Sequence, residues 1–213
     1  MPLELTPDAL LSTTRAVRKR LDLERPVERE LLEECLALAQ QAPTGSYAQD
    51  WGFVVVADPE LRAGLAELWR RGGEKYLSRV ENPDEAGDGS STMMGRVLGG
   101  VFHLRDHLQD VPVHVIPCIR GRTDGKGVFA QASRWGSIMP AAWSFMLAAR
   151  SRGLGTVWTT FHLAYEQEAA ELLGIPYDEV MQAALIPVAY TIGDSFKPAR
   201  RKPLDTMVHW DVW

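Results

Sequence analysis

The sequence predicts an α+β fold. Amphipathic helical stretches outnumber the short apolar strand-like runs, and the two do not alternate in the strict βαβ order of a doubly wound sheet. Size agrees: 213 residues, 46% hydrophobic and 24% charged, suffice for a single domain over 1–213 with a substantial core.

Residues 6–14 read as a short helix, with Thr6 as N-cap and Pro7 at the first helical position, where a missing N–H is harmless. A basic, extended segment follows over 15–25. Pro26-Val27-Glu28 opens a strong helix over 27–41, with Leu31, Leu32, Cys35, Leu36, Leu38 and Ala39 at helical spacing. A loop of small and hydroxyl residues, 42–51, then leads into a strand at 52–57 built on Phe53-Val54-Val55-Val56. Asp58-Pro59-Glu60 starts another helix, with Leu61, Leu65, Leu68 and Trp69 on one face. Residues 81–92, rich in Gly, Asp and Ser, have the composition of a mobile loop.

A short helix at 96–108 precedes a buried strand over Val111–Ile119, with Pro112 and Pro117 expected at its ends. Gly121–Gly127 is rich in turn residues. Residues 130–151 form the longest helical run, apolar nearly all round, which predicts a helix that is central and in a subunit interface. Gly153-Leu154-Gly155 ends it, and Thr156–Thr160 reads as a strand. A helix over 165–173 stops at Gly174, Ala184–Tyr190 is a strand, and Met207–Trp210 reads as a short terminal one.

The net charge of −5 gives no general attraction to nucleic acid or an anionic membrane. No apolar run approaches the ~20 residues that span a bilayer. The opening Met1-Pro2-Leu3-Glu4-Leu5 lacks the pattern of a signal peptide, so the expected location is cytoplasmic. Cys35 and Cys118 form no CxxC pair and read as reduced core thiols. Gly121-Arg122-Thr123-Asp124-Gly125-Lys126-Gly127 is one residue short of a P-loop and has Gly127 where a hydroxyl must hold Mg²⁺. His103 and His107 share a helical face near His114, but a zinc site needs a third ligand in open geometry and HExxH is absent; no metal is expected. The seven tryptophans read mostly as core or interface residues.

Charge is unevenly spread. Arg15, Arg18, Lys19, Arg20 and Arg25 crowd one end of the chain, and Lys197, Arg200, Arg201 and Lys202 the other. Guanidinium groups grip phosphate oxygens in bidentate fashion, so the two ends read as halves of one anion site.

Four segments carry a resemblance. Ala42-Pro43-Thr44-Gly45-Ser46-Tyr47-Ala48-Gln49-Asp50-Trp51 resembles the Ala-Pro-Ser-x-x-Asn-x-Gln-Pro-Trp segment of the nitroreductase family of FMN-dependent flavoproteins. Thr14-Arg15-Ala16-Val17-Arg18 is similar to that family's Arg-Arg-Ser-x-Arg opening, and Arg200-Arg201-Lys202-Pro203-Leu204 to its closing basic-x-Arg-x-Pro element. Leu147–Thr156 is similar to its Leu-Ala-Ala-x-x-x-Gly-Leu-Gly-Thr. More loosely, Ile186–Gly193 resembles its Pro-x-Gly-Tyr strand, with Ala189 for the glycine.

The resemblance implies a central, mainly antiparallel sheet wrapped by helices, and an intertwined homodimer with FMN in two interface sites. It implies NADH or NADPH as hydride donor and a small acceptor, such as a nitroaromatic or a quinone, served by a ping-pong cycle. By the same resemblance Thr14, Arg15, Arg200 and Arg201 hold the phosphate end and Arg18 the pyrimidine edge. Pro43, Thr44, Ser46 and Gln49 reach the flavin from the other subunit, and Thr159 or Thr160 offers an N–H near N5. No catalytic acid or base is singled out.

Departures bear on the chemistry. Tyr47 and Asp50 replace the family's Asn and Pro, and Thr14 its first Arg. Ala16 replaces a serine, removing one hydrogen bond worth a net ~1 kcal/mol. Two alternatives of the same fold are a protein that sequesters FMN without turnover and an enzyme with other flavin chemistry, such as reductive dehalogenation or flavin fragmentation.

Overall fold

The computed structural model describes residues 3–80 and 93–213; the loop expected at 81–92 lies outside the described residues. In chain order the elements are α1 (Pro7–Thr13), α2 (Arg29–Ala39), β1 (Trp51–Val56), α3 (Pro59–Val80), α4 (Met93–His107), β2 (Val113–Arg120) and α5 (Val128–Ser151). They continue with β3 (Leu154–Thr156), α6 (Glu166–Leu173), β4 (Val180–Gln182) and β5 (Ile186–Tyr190). No helix among the described residues is long and apolar enough to cross a membrane.

β2 is the strand on which the sheet is built. β1 runs antiparallel along one edge of it, from Trp51 opposite Ile119 to Val56 opposite His114. The other edge is shared: β5 pairs antiparallel with Val113–Val115, and β4 with Cys118–Arg120. β3 then adds to β5, again antiparallel, with Gly155 opposite Ala189. The α+β class and the antiparallel sheet are as expected.

Side chains on a strand alternate between faces, and β2 is buried on both. Val113 and Val115 point to a core made with Leu32 and Cys35 of α2 and with Ala142, Phe145 and Met146 of α5. Ile116 and Cys118 point the other way, against Leu65, Leu68 and Trp69 of α3 and Leu104 of α4. Helices therefore cover both sides, and β2 shows no polar face for the sequence pattern to reveal.

Pro117 corrects an expectation: it sits inside β2, opposite Phe53, not at its end. Its missing N–H falls where the neighbouring strand changes from β5 to β4, so no ladder bond is lost; its carbonyl accepts from Ala183 N–H at 2.8 Å. Gly153 (φ +78°) turns the chain out of α5 as expected, but the strand begins directly at Leu154, two residues earlier than the composition suggests. Residues 157–160 contribute only a bridge between Thr159 and Leu185. Met207–Trp210 is no strand: a 3₁₀ turn at Leu204–Thr206 leads into an exposed tail without a partner strand. β4 was not foreseen.

α5 is buried on much of its circumference but not all. Met139 and Trp143, one turn apart, remain 47% and 43% exposed in the single chain. On α3, Gly72 and Gly73 let Phe161 press against the helix; a Cβ at Gly72 would lie 1.9 Å from the Phe161 carbonyl oxygen. Cys35 and Cys118 are separate buried thiols, pushed by burial up to about 11 and about 12, so both stay protonated at neutral pH.

Two histidines lie fully inside the core beneath α3. His114 Nε2–H donates to the Leu108 carbonyl at 2.9 Å, while its Nδ1 and both ring nitrogens of His162 have no partner among the described residues. Burial lowers His114 to about 4 and His162 to about 3. The unfolded chain, with ordinary histidines near 6.5, therefore binds more protons than the fold at mildly acid pH. Stability is full above about pH 6.5 and falls steadily as pH drops toward 4. Urea denaturation at pH 7 and pH 5 should show a lower midpoint at pH 5, and His162→Leu should flatten that difference. Gly72→Ala, which overpacks the Phe161 contact, should destabilise by roughly 1–3 kcal/mol in the same assay.

Candidate active site

The two basic ends meet. Beyond α1 the chain runs extended: Val17 N–H donates to the Thr156 carbonyl at 2.9 Å, so Ala16 and Val17 lie along the outer edge of β3. At the far end, residues 192–197 return beside the same segment. Arg20 donates to the Ile192 carbonyl at 2.8 Å and to the Ser195 carbonyl at 3.0 Å, Arg150 to the Asp194 carbonyl at 2.9 Å, and Arg15 to the Lys197 carbonyl. Phe196 is held between two guanidinium groups, 4.2 Å from Arg20 and 4.7 Å from Arg150.

Between the two ends opens a groove of about 930 Å³. Thr14, Arg15, Arg18 and Lys19 line it from one end of the chain, and Lys197, Arg200 and Arg201 from the other. Trp143 and Met146 of α5, with Trp158, supply an apolar wall, and Arg96, Val97 and Gly100 of α4 close one side. Among the described residues the lining contains no carboxylate, histidine or cysteine.

Its electrostatics are unlike the rest of the surface. Eight arginines elsewhere in the described chain face a carboxylate within 3.2 Å. Among the described residues Arg15, Arg18, Lys19, Lys197, Arg200 and Arg201 have no such partner. Arg18 is half-buried, and burial lowers its guanidinium below the usual range. A desolvated cation is costly unless an anion meets it, so the groove is built to receive one.

The structure thus brings five expected site residues, Thr14, Arg15, Arg18, Arg200 and Arg201, onto one groove. The Thr14 hydroxyl donates back to the Leu10 carbonyl at 2.6 Å and keeps only its acceptor character. Pro43, Thr44, Ser46 and Gln49 are not on this groove. Their loop seats on α5, where Gly45 N–H donates to Ser137 Oγ at 3.2 Å; Ser137 lies nine residues, about 14 Å along a helix, before Met146.

That loop is strained. Ser46, Tyr47 and Gln49 have φ of +53°, +57° and +52°, a region that costs non-glycine residues on the order of 1 kcal/mol or more each. Gln49 N–H donating to Thr44 Oγ1 at 3.3 Å and an Asp50–Arg134 ion pair hold it, and Tyr47 projects into solvent. Thr159 and Thr160 divide. Thr159 spends both its N–H and its hydroxyl on the Leu185 carbonyl, at 3.1 and 2.7 Å, whereas the Thr160 N–H has no partner among the described residues. Of the two, only Thr160 retains an N–H donor.

Sequence reasoning missed Trp143, Met146 and Trp158 as groove residues. Their helical or strand-like context reads as core, and only the folded chain turns them to one opening. The His103 and His107 rings on α4 lie 4.6 Å apart, tilted at 43°, and no metal-holding group of three His, Cys, Asp or Glu occurs among the described residues.

Comparison with known proteins places this geometry. The model of the nitroreductase family matches residues 11–190. The chain is 27% identical over 204 residues to iodotyrosine deiodinase 1 of Rattus norvegicus, covering 93% of this chain and 67% of that protein. It is 29% identical over 159 residues to 5,6-dimethylbenzimidazole synthase of Rhodospirillum rubrum, covering 72% and 68%. It spans about two thirds of the length of both. Among solved structures, oxidized iodotyrosine deiodinase bound to FMN and 3-iodo-L-tyrosine superposes with a TM-score of 0.70 at 20% identity, covering 96% of this chain and 98% of that one. With the family model matching residues 11–190 of 213, this chain belongs to the nitroreductase family.

Proposed function

We propose that this chain binds FMN in the basic groove and, as a homodimer, moves hydride from NADH or NADPH to a small acceptor such as a nitroaromatic or a quinone. The observation that carries the reading is Arg18, half-buried in a groove where, among the described residues, it has no anionic partner and no carboxylate lines the wall. The residues fit the cofactor: a phosphate needs several cations, and a flat ring needs an apolar wall.

Bound FMN supplies a ring that takes up hydride and passes electrons on. The protein's own part is binding and electrostatics. Arg15, Arg200 and Arg201 surround the phosphate, with Thr14 as an accepting hydroxyl beside them. Arg18 would hold the pyrimidine edge, where its charge would favour electron uptake by the ring. Trp143, Met146 and Trp158 would exclude water from the ring, and the Thr160 N–H, without a partner among the described residues, would be the donor available to it. With no carboxylate, histidine or cysteine among the described residues that line the groove, protons would come from solvent. Donor and acceptor use the same opening in turn, in ping-pong order.

The dimer rests on surfaces that one chain leaves unpaired. Met139 and Trp143 present an apolar stripe on α5, and Trp210 and Trp213 stand out on the tail. The strained 42–51 loop, seated away from its own groove, is placed to bring Pro43, Thr44, Ser46 and Gln49 to the partner's flavin. The reading includes a single domain over 1–213 acting in the cytoplasm.

Reductive dehalogenation is the second reading, favoured by the likeness to the deiodinase over 93% of this chain. An absorbance spectrum of the purified protein tests both. We expect flavin bands near 450 nm that bleach anaerobically with NADH or NADPH and return when a nitroaromatic or quinone is added. Bands that resist both nucleotides but bleach with dithionite, followed by iodide release from 3-iodotyrosine, would move the assignment to dehalogenation. Absence of flavin after added FMN would overturn both.

A further inference from the structure

Resting on the reading of the groove as an FMN site, we propose that its rim at Lys19 is a second anion subsite, which holds a phosphate or carboxylate carried by the molecule that reacts with the flavin.

Charge balance points there first. Seven cationic side chains of the groove, Arg15, Arg18, Lys19, Arg20, Lys197, Arg200 and Arg201, face no carboxylate among the described residues. A phosphate monoester brings about −2 at most. Like charges packed this closely repel and weaken the fold, and elsewhere this chain relieves its arginines with carboxylates. Here it does not, although two cations at most are needed to balance the phosphate.

Placement agrees. Arg18 and Lys19 cross α4 at two consecutive glycines. A Cβ at Gly100 would come within 3.2 Å of Arg18 Cδ, and one at Gly99 within 3.1 Å of Lys19 Nζ. The glycines let the extended segment lie close on the helix, which sets Arg18 inward and leaves Lys19 exposed. No ion pair or hydrogen bond engages the Lys19 ammonium among the described residues.

Residue type fits as well. Arginine forks suit a phosphate that stays; a lysine ammonium is a compact charge on a flexible stem, suited to a group that arrives and leaves in each cycle. In a ping-pong cycle both visitors pass this rim. The anion therefore has two sources: the extra phosphate of NADPH, or an acid group on the acceptor.

The test uses FMN-loaded wild type and Lys19→Gln, reading ligand binding from the change in flavin absorbance. The probes are 4-nitrobenzoate against its methyl ester, and NADP⁺ against NAD⁺. In the wild type we expect about tenfold tighter binding of the charged member in at least one pair. Lys19→Gln should abolish that preference while FMN retention and binding of the uncharged member stay unchanged. Preference confined to the nitrobenzoate pair assigns the anion to the acceptor, and preference confined to the nucleotide pair assigns it to the donor. Equal binding within both pairs, or a preference that survives Lys19→Gln, overturns the subsite. Loss of FMN from Lys19→Gln also overturns it, by making Lys19 part of the FMN site. A wild type that takes up no FMN fails at loading, before any probe is added, and overturns the flavin reading itself.

Discussion

Three guanidinium groups donating to backbone carbonyls of residues 192–197 hold the two ends of this chain together, and the groove exists because they do. Hydrogen bonds from charged donors are worth roughly 1.5–3 kcal/mol each, enough to fix a segment that belongs to no helix or strand. Arg150 shows the cost. It is 4% exposed, its Nε and Nη1 have no partner among the described residues, and burial lowers its pKa. An unpaired cation is tolerated there because the Asp194 carbonyl and the face of Phe196 share it with Arg20. Arg20 and Arg150 hold the strap, Arg15 touches it through the Lys197 carbonyl at the groove, and Arg18, Arg200 and Arg201 make no ion pair or hydrogen bond among the described residues.

The sheet supplies the rigid backing. β2 is covered on both faces, so its register with β1, β4 and β5 is fixed along its whole length. β3 hangs on β5 and in turn receives Ala16 and Val17 at its edge. Gly155 has no side chain where Val17, Leu21 and Thr191 converge; a Cβ there would meet them at 3.0 Å or less. That close approach draws the N-terminal segment toward the strap. α5 contributes Trp143 and Met146 to the groove and, nearer its start, the seat of the strained 42–51 loop.

Much of this was legible in the sequence, for identifiable reasons. Pro7, Pro59 and Gly174 mark helix ends through backbone geometry alone, and the apolar spacing of α2 and α3 has one period. The two basic ends, which the structure brings to one groove, stood out because nothing else in this acidic chain concentrates arginine so. What was hidden depends on distant contacts. β4 is three residues long and exists because β2 pairs with it and Glu166 takes the Gln182 N–H at 2.9 Å. Pro117 reads as a strand end until the change of neighbouring strand shows where its missing N–H falls. Met207–Trp210 has strand composition without a strand to pair with. Trp143 and Trp158 read as core because a sequence shows apolarity but not which way it faces. The spent N–H of Thr159, likewise, is visible only once Leu185 is beside it.

The central claim is that the converging chain ends form a site for the phosphate of a flavin mononucleotide. Equilibrium binding of FMN and of riboflavin to the apo-protein, at one moderate salt concentration, tests it most directly, since the two ligands differ only in that phosphate. A phosphate site at the converging ends predicts that FMN binds at least about a hundredfold more tightly, the worth of two or so charge-assisted contacts, and that added salt narrows the gap. Equal affinity for the two, unaffected by salt, would contradict it.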